Sequence, residues 1–188
     1  LNQKTFLVVE LGMQSVNEKT ITLITRGYSH KIFTETIEKL KDENLLFLIH
    51  AIIGLPFEDE IDFKKTFKYI KDLVPFGVKF HNLYILKDSP IYNLYKNKNF
   101  KILSRDEYVD FLIYAMENID PKTVIHRITG DPPKKKLFEP KWCADKLSVI
   151  SEIEKNLKDI DRKIINKDDI REIVSYWKDK DNAFSCKS

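Results

Sequence analysis

Cysteine is scarce. Cys143 and Cys186 are the only two among 188 residues, and their separation supports neither a disulfide framework nor a CxxC-type metal-ligand pair. A reduced, cytoplasmic location is therefore expected. An excess of charge of one sign is also missing: 32 Lys and Arg stand against 29 Asp and Glu, for a formal net charge of +3. The total thus gives no argument for nucleic acid or an acidic membrane. No apolar run approaches the roughly eighteen residues of a membrane span, and no basic stretch followed by an apolar core opens the chain. Internal repeats and low-complexity segments are lacking. So is a glycine-rich phosphate loop, which counts against a conventional barrel enzyme acting on a phosphorylated metabolite.

What is present suffices for one core: 43% of the residues are hydrophobic, in a chain of roughly single-domain length, about 100–200 residues. Residues 6–11 (FLVVEL) are apolar and β-branched and read as a strand. In the next stretch Ile21 and Ile24 fall at helical spacing before Gly27. Ser29 can cap a helix through Leu40 whose stripe is Ile32, Phe33, Ile37 and Leu40. The run 45–53 (LLFLIHAII), ended by Gly54-Leu55-Pro56, suits a strand buried on both faces.

A helix over 59–74 and a strand over 78–86, closed by Lys87-Asp88-Ser89-Pro90, follow. Ser104-Arg105-Asp106-Glu107 is a capping box opening a helix to about residue 119, and 123–129 is a weaker strand. Alternating strands and helices imply βαβ units on a parallel sheet, open or closed into a barrel. Segments 141–159 and 167–179 read as two charged amphipathic helices packed on that body.

Side chains alternate across a strand, so Val8, Glu10, Gly12 and Gln14 share one face; Leu46, Leu48, His50 and Ile52 share one, and Lys79, His81, Leu83 and Ile85 another. Two readings are open. Either Glu10, Gln14, His50, Lys79 and His81 line a ligand cavity near the carboxyl ends of parallel strands, or they are satisfied polar groups of a core, Glu10 pairing with Lys79 for instance. Pro132-Pro133-Lys134-Lys135-Lys136, near Arg105, His126 and Arg127 in sequence, is either an RNA-contacting loop or a solvated one. His126 is either a substrate residue or an ordinary half-buried histidine. Tyr92, Tyr95, Tyr108, Phe111 and Tyr114 suit packing better than base stacking.

Taken in order, VELGMQSVNEKTITLITRGYSH, IIGLPFED, VKFHNLYILKDSPIYNLY and VIHRITGDPP with the following EPKW resemble the later strands of radical S-adenosylmethionine enzymes. The resemblance covers residues 5–150. It points to the bacterial Fe–S oxidoreductase type related to oxygen-independent coproporphyrinogen oxidases and Elongator-type enzymes. The fold it implies is α/β: the C-terminal half of a partial (β/α)6 barrel over 1–135, a horseshoe-like parallel sheet with outer helices, followed by a helical extension over 136–188. The activity it implies is reductive cleavage of S-adenosylmethionine by a [4Fe–4S] cluster, yielding a 5′-deoxyadenosyl radical, with the cofactor carrying the chemistry.

By the same resemblance Gln14 and Ser15 lie at the cosubstrate, with Gln14 on the ribose. Arg26 holds the methionyl carboxylate, and Ile53, Gly54 and Leu55 present backbone to the adenine. An amide suits vicinal hydroxyls, and a guanidinium suits a carboxylate. Glu10, His50, Lys79 and His81 would line the cavity without assigned roles.

The sequence departs from the family at one decisive point: the CxxxCxxC that ligates the cluster is not in it. With Leu1 in place of Met and a strand at the outset, the expectation is a C-terminal portion, inactive alone, whose partner is the missing N-terminal half of the barrel. An exposed strand edge at 6–11 would otherwise pair with another copy. RNA is one candidate substrate. The alternative is a non-catalytic α/β module that binds RNA or a protein through the PPKKK loop and the helical tail.

Overall fold

The computed structural model describes residues 7–98 and 100–157. Its elements are strands β1 (Val8–Gln14), β2 (Leu46–Ile53), β3 (Gly77–Asn82), β4 (Ile85–Leu86), β5 (Val124–Arg127) and β6 (Leu137–Glu139), with helices α1 (Glu18–Leu23), α2 (His30–Asp42), α3 (Glu60–Leu73), α4 (Pro90–Lys98), α5 (Arg105–Asn118) and α6 (Lys146–Leu157). β1, β2, β3 and β5 form a parallel sheet in that order. β4 and β6 form a separate antiparallel ribbon. The fold is α/β, with helices between the parallel strands. β1 stands at the edge of the sheet.

Alternation along the strands separates two faces. Met13, Phe47, Ile49, Ala51, Ile53, Val78 and Phe80 join Phe33, Ile37, Phe67, Ile70, Tyr108 and Leu112 from the helices in one buried core. Burying one such side chain contributes about 1.5–3 kcal/mol. A one-residue slip would turn the whole set outward, so the register is fixed. The other face of the sheet carries Glu10, His50, Lys79 and His81, and is called the inner wall below.

The helix starts follow their side chains. Ser29 accepts from Ile32 N; Asp59 and Asp62 form a capping box on α3, and Ser104 and Glu107 form one on α5. Between the β-stretches expected at 78–86 the chain breaks. Asn82 turns its amide to the loop after β5, Leu83 N donates to Ile53 O, and residues 85–86 leave to pair with β6.

The anticipated helix at 141 begins as a 3-10 turn (Lys141–Ala144), and Asp145, accepting from Ser148 N, restarts it as α6. Val149, Ile153 and Leu157 of α6 enter the same core as the helices that cover the sheet, so the described part of the extension is packed on the body. The second tail helix, 167–179, lies outside the described residues. None of the described helices is long and apolar enough to cross a membrane.

Candidate functional site

The inner wall is tied together by one carboxylate. Glu10 Oε1 and Oε2 accept from Lys79 Nζ at 2.6 and 2.7 Å, and Oε2 also accepts from His50 Nε2 at 2.8 Å. The parallel register makes this possible: Gly12 lies opposite His50, and His50 lies opposite Lys79. Lys79 first, then His50, holds the Glu10 carboxyl below the usual carboxylate range. An ionised carboxylate only accepts, so the bond fixes a proton on His50 Nε2. His81 stacks on His50, with centroids 5.8 Å apart and 17° between planes. Its own Nε2 is buried without a hydrogen-bond partner among the described residues. Burial, then the charges of Arg127, His50 and Lys79, lower the His81 pKa to about 4. Two of the neighbouring groups come from β5: His126, whose ring lies where a Cβ on Gly77 would stand, and Arg127, level with Lys79.

The C-terminal end of β1 is built differently. The register shifts between Gly12 and Gln14, and Gln14 adopts φ 58°. Its side chain folds back along the strand, with Nε2 only 2.7 Å from where a Cβ on Gly12 would be. A side chain at Gly12 would displace this amide. Arg26 fastens this turn to the segment after α1: Nη1 donates to Met13 O at 2.6 Å and to Ser15 O at 3.3 Å, and Nε donates to Tyr28 O at 3.0 Å. Tyr28 lies 4.6 Å beneath the guanidinium and donates its hydroxyl to Gly12 O at 2.6 Å. Two buried atoms of this cradle have no partner among the described residues, Gln14 Oε1 and Arg26 Nη2. Desolvation lowers the Arg26 pKa.

Ser15 faces the other way. Its hydroxyl donates to Glu58 Oε1 at 2.5 Å and accepts from Asn17 N at 3.0 Å, tying β1 to the outer layer. Burial pushes the Glu58 carboxyl up despite that bond. Gly54 adopts φ 84°, and a Cβ on it would lie 2.9 Å from Leu103. Ile53 and Leu55 on either side are buried, so only backbone is available at that strand end. Gly54, Glu58 and Thr66 also line a cleft of about 480 Å³ between α3 and α5, floored by Phe63, Phe111 and Tyr114. The structure therefore groups Glu10, His50, Lys79 and His81 together, places Gln14 and Arg26 on one turn, and directs the Ser15 hydroxyl away from both groups.

The lysine-rich loop sits beside Lys87, whose backbone N donates to Lys136 O at 2.8 Å. The nearby rings pack on one another: Tyr92 meets Phe138 edge-on at 4.8 Å, and Tyr95 meets Phe100 at 5.3 Å. They offer no open stacking platform. Among the described residues no group of three His, Cys, Asp or Glu could hold a metal ion. Cys143 is buried and accepts from Asn82 Nδ2. Tyr28 and the Gly12 saddle were not anticipated from sequence. A lone glycine inside a strand was the available signal for the second.

Residues 75–159 match the Radical_SAM C-terminal domain. YtqA of Bacillus subtilis is 38% identical over 157 residues, spanning 84% of this chain and 49% of YtqA. The tRNA uridine(34) acetyltransferase of Methanocaldococcus infernus is 33% identical over 130 residues, 66% of this chain and 24% of that protein. Among solved structures, archaeal Elp3 from M. infernus superposes with a TM-score of 0.70 at 25% identity, covering 83% of this chain and 37% of Elp3. The chain spans about half the length of YtqA. Its parallel α/β sheet is thus a partial radical SAM domain, and the chain is a member of the radical SAM family.

Proposed function

We propose that this chain supplies one wall of an S-adenosylmethionine site in a radical SAM enzyme, and that the cluster ligands come from outside its 188 residues. What carries the reading is the pair of buried atoms without partners at the end of β1, Gln14 Oε1 and Arg26 Nη2. An amide oxygen accepts from a ribose hydroxyl, and the N–H groups on Nη2 donate to a carboxylate. Leaving such groups unsatisfied costs about 1–3 kcal/mol each, a cost that a nucleoside bearing an amino acid would remove. Fully engaged in the turn, Nη1 and Nε of Arg26 serve to aim Nη2. Gln14 lies over Gly12, where no side chain competes with it for space. The backbone after Ile53 offers the adenine its edge contacts. Ser15 supports the turn from behind and need not touch the cosubstrate.

Bound S-adenosylmethionine, once reduced, supplies a 5′-deoxyadenosyl radical. Residues described here do not fit the [4Fe–4S] cluster, because the thiol of Cys143 is enclosed and no CxxxCxxC occurs in the sequence. The chain positions the cosubstrate and shapes the cavity, and the other half of the barrel holds the metal. The 188-residue chain, after anaerobic treatment with iron, sulfide and reductant, should release no 5′-deoxyadenosine from S-adenosylmethionine. Turnover by this chain alone would refute the division of labour.

A further inference from the structure

The inner wall below the cosubstrate turn has an imbalance of charge. Glu10 contributes a carboxylate from β1, but both its oxygens are already bonded to Lys79 of β3, and one also to His50 of β2. Lys79 is thereby neutralised in place, with only 18% of its side chain exposed. Arg127 of β5 is level with Lys79 yet makes no ion pair or hydrogen bond among the described residues. Its charge nevertheless reaches His81, where it is the largest influence after burial. His81, opposite Ile52 and stacked on His50, has its Nε2 buried with no partner. His81, two residues along β3 from Lys79, thus has a ring nitrogen without a partner among the described residues, and the neighbouring strand places Arg127 opposite Lys79 and His126 beside it, with no second carboxylate bonded into the described network.

We propose that His81 and Arg127 form a subsite for an anionic group of the substrate, a carboxylate or a phosphate, with the Glu10, Lys79 and His50 network as its positioning frame. The anion accepts one hydrogen bond from His81 Nε2–H and charge-assisted bonds from Arg127. Glu10 holds His50 in place and His81 stacks on that ring, so the imidazole of the subsite is set before the substrate enters. A cationic group would meet Arg127 unscreened and be rejected. This names the substrate class of the cavity proposed above and rests on that reading. The test below uses no cosubstrate, so its failure would leave the S-adenosylmethionine wall standing, and the converse also holds.

The full 188-residue chain, carrying isotope-labelled histidine, is titrated near neutral pH with inorganic phosphate and separately with acetate, chloride holding the ionic strength constant. The His81 ring resonances should shift saturably. The bound anion should raise the His81 pKa by about one unit or more, since it favours the charged ring. Arg127→Gln, at an exposed position, should weaken binding about tenfold with the circular dichroism unchanged, and Arg127→Lys should recover part of it. Tighter binding of phosphate identifies a phosphorylated substrate, and tighter binding of acetate identifies a carboxylate. Absence of a saturable His81 shift with both anions, or a shift that Arg127→Gln leaves intact, overturns the proposal.

Discussion

Asn82→Ala is expected to destabilise the fold by about 3 kcal/mol, because one buried amide holds three segments. Its Oδ1 accepts from Gly130 N at 2.7 Å and from Thr129 Oγ1 at 3.0 Å, and its Nδ2 donates to Cys143 Sγ at 2.7 Å. The residue is 3% exposed, so bulk water does not reach the groups it bonds. Alanine would strand the Gly130 N–H in the interior. The Thr129 hydroxyl would keep a long bond to Gly130 O at 3.3 Å. Losing the amide would loosen the joint at which β3, the segment after β5 and the turn before α6 converge. Cys143→Ala removes only a weak acceptor and should cost about 1 kcal/mol. Urea unfolding measures both. A loss for Asn82→Ala no larger than that for Cys143→Ala would show that the amide is not the joint.

Gly12→Ala should spare stability and weaken ligand recognition. The backbone at Gly12 is in an ordinary extended conformation, so an added methyl creates no φ strain there. What the methyl meets is the end of a flexible side chain, Gln14 Nε2 at 2.7 Å and Oε1 at 3.3 Å. The amide must swing off the strand, and it would take its unpaired oxygen with it. S-adenosylmethionine affinity should fall about tenfold or more, equivalent to about 1.4 kcal/mol, while the melting temperature hardly moves. In a Gln14→Ala background the same Gly12→Ala change should have no further effect on binding. Additive losses would mean that Gly12 matters for another reason.

Much of the architecture could be read from local signals. The capping box at Ser104 and the Ser29 cap are satisfied in the structure, because a short polar side chain before an apolar stripe leaves the backbone few alternatives. The alternation of Glu10, His50, Lys79 and His81 with apolar neighbours put them on one face, since the strand period of two is insensitive to tertiary context. Other features depend on partners far away in sequence. α4 lay hidden in what read as a turn, although Pro90 at a helix start and Ser89, which accepts from Tyr92 N, are ordinary opening residues. β6, three residues long, forms only because the chain leaves the sheet after Asn82 to meet it. Ser15 resembled a ligand residue by motif; its bond to Glu58, 43 positions away, turns it toward the outer layer. Arg26 likewise spends most of its donors on carbonyls of the turn.

Everything proposed about catalysis requires that the turn at the end of β1 be a surface for S-adenosylmethionine. The most direct test is to add that molecule to the isotope-labelled chain and map which resonances move. Changes are expected to concentrate at the Gln14 side-chain amide and the Arg26 guanidinium. Changes confined to the cleft between α3 and α5, or none at any concentration reached, would contradict that expectation.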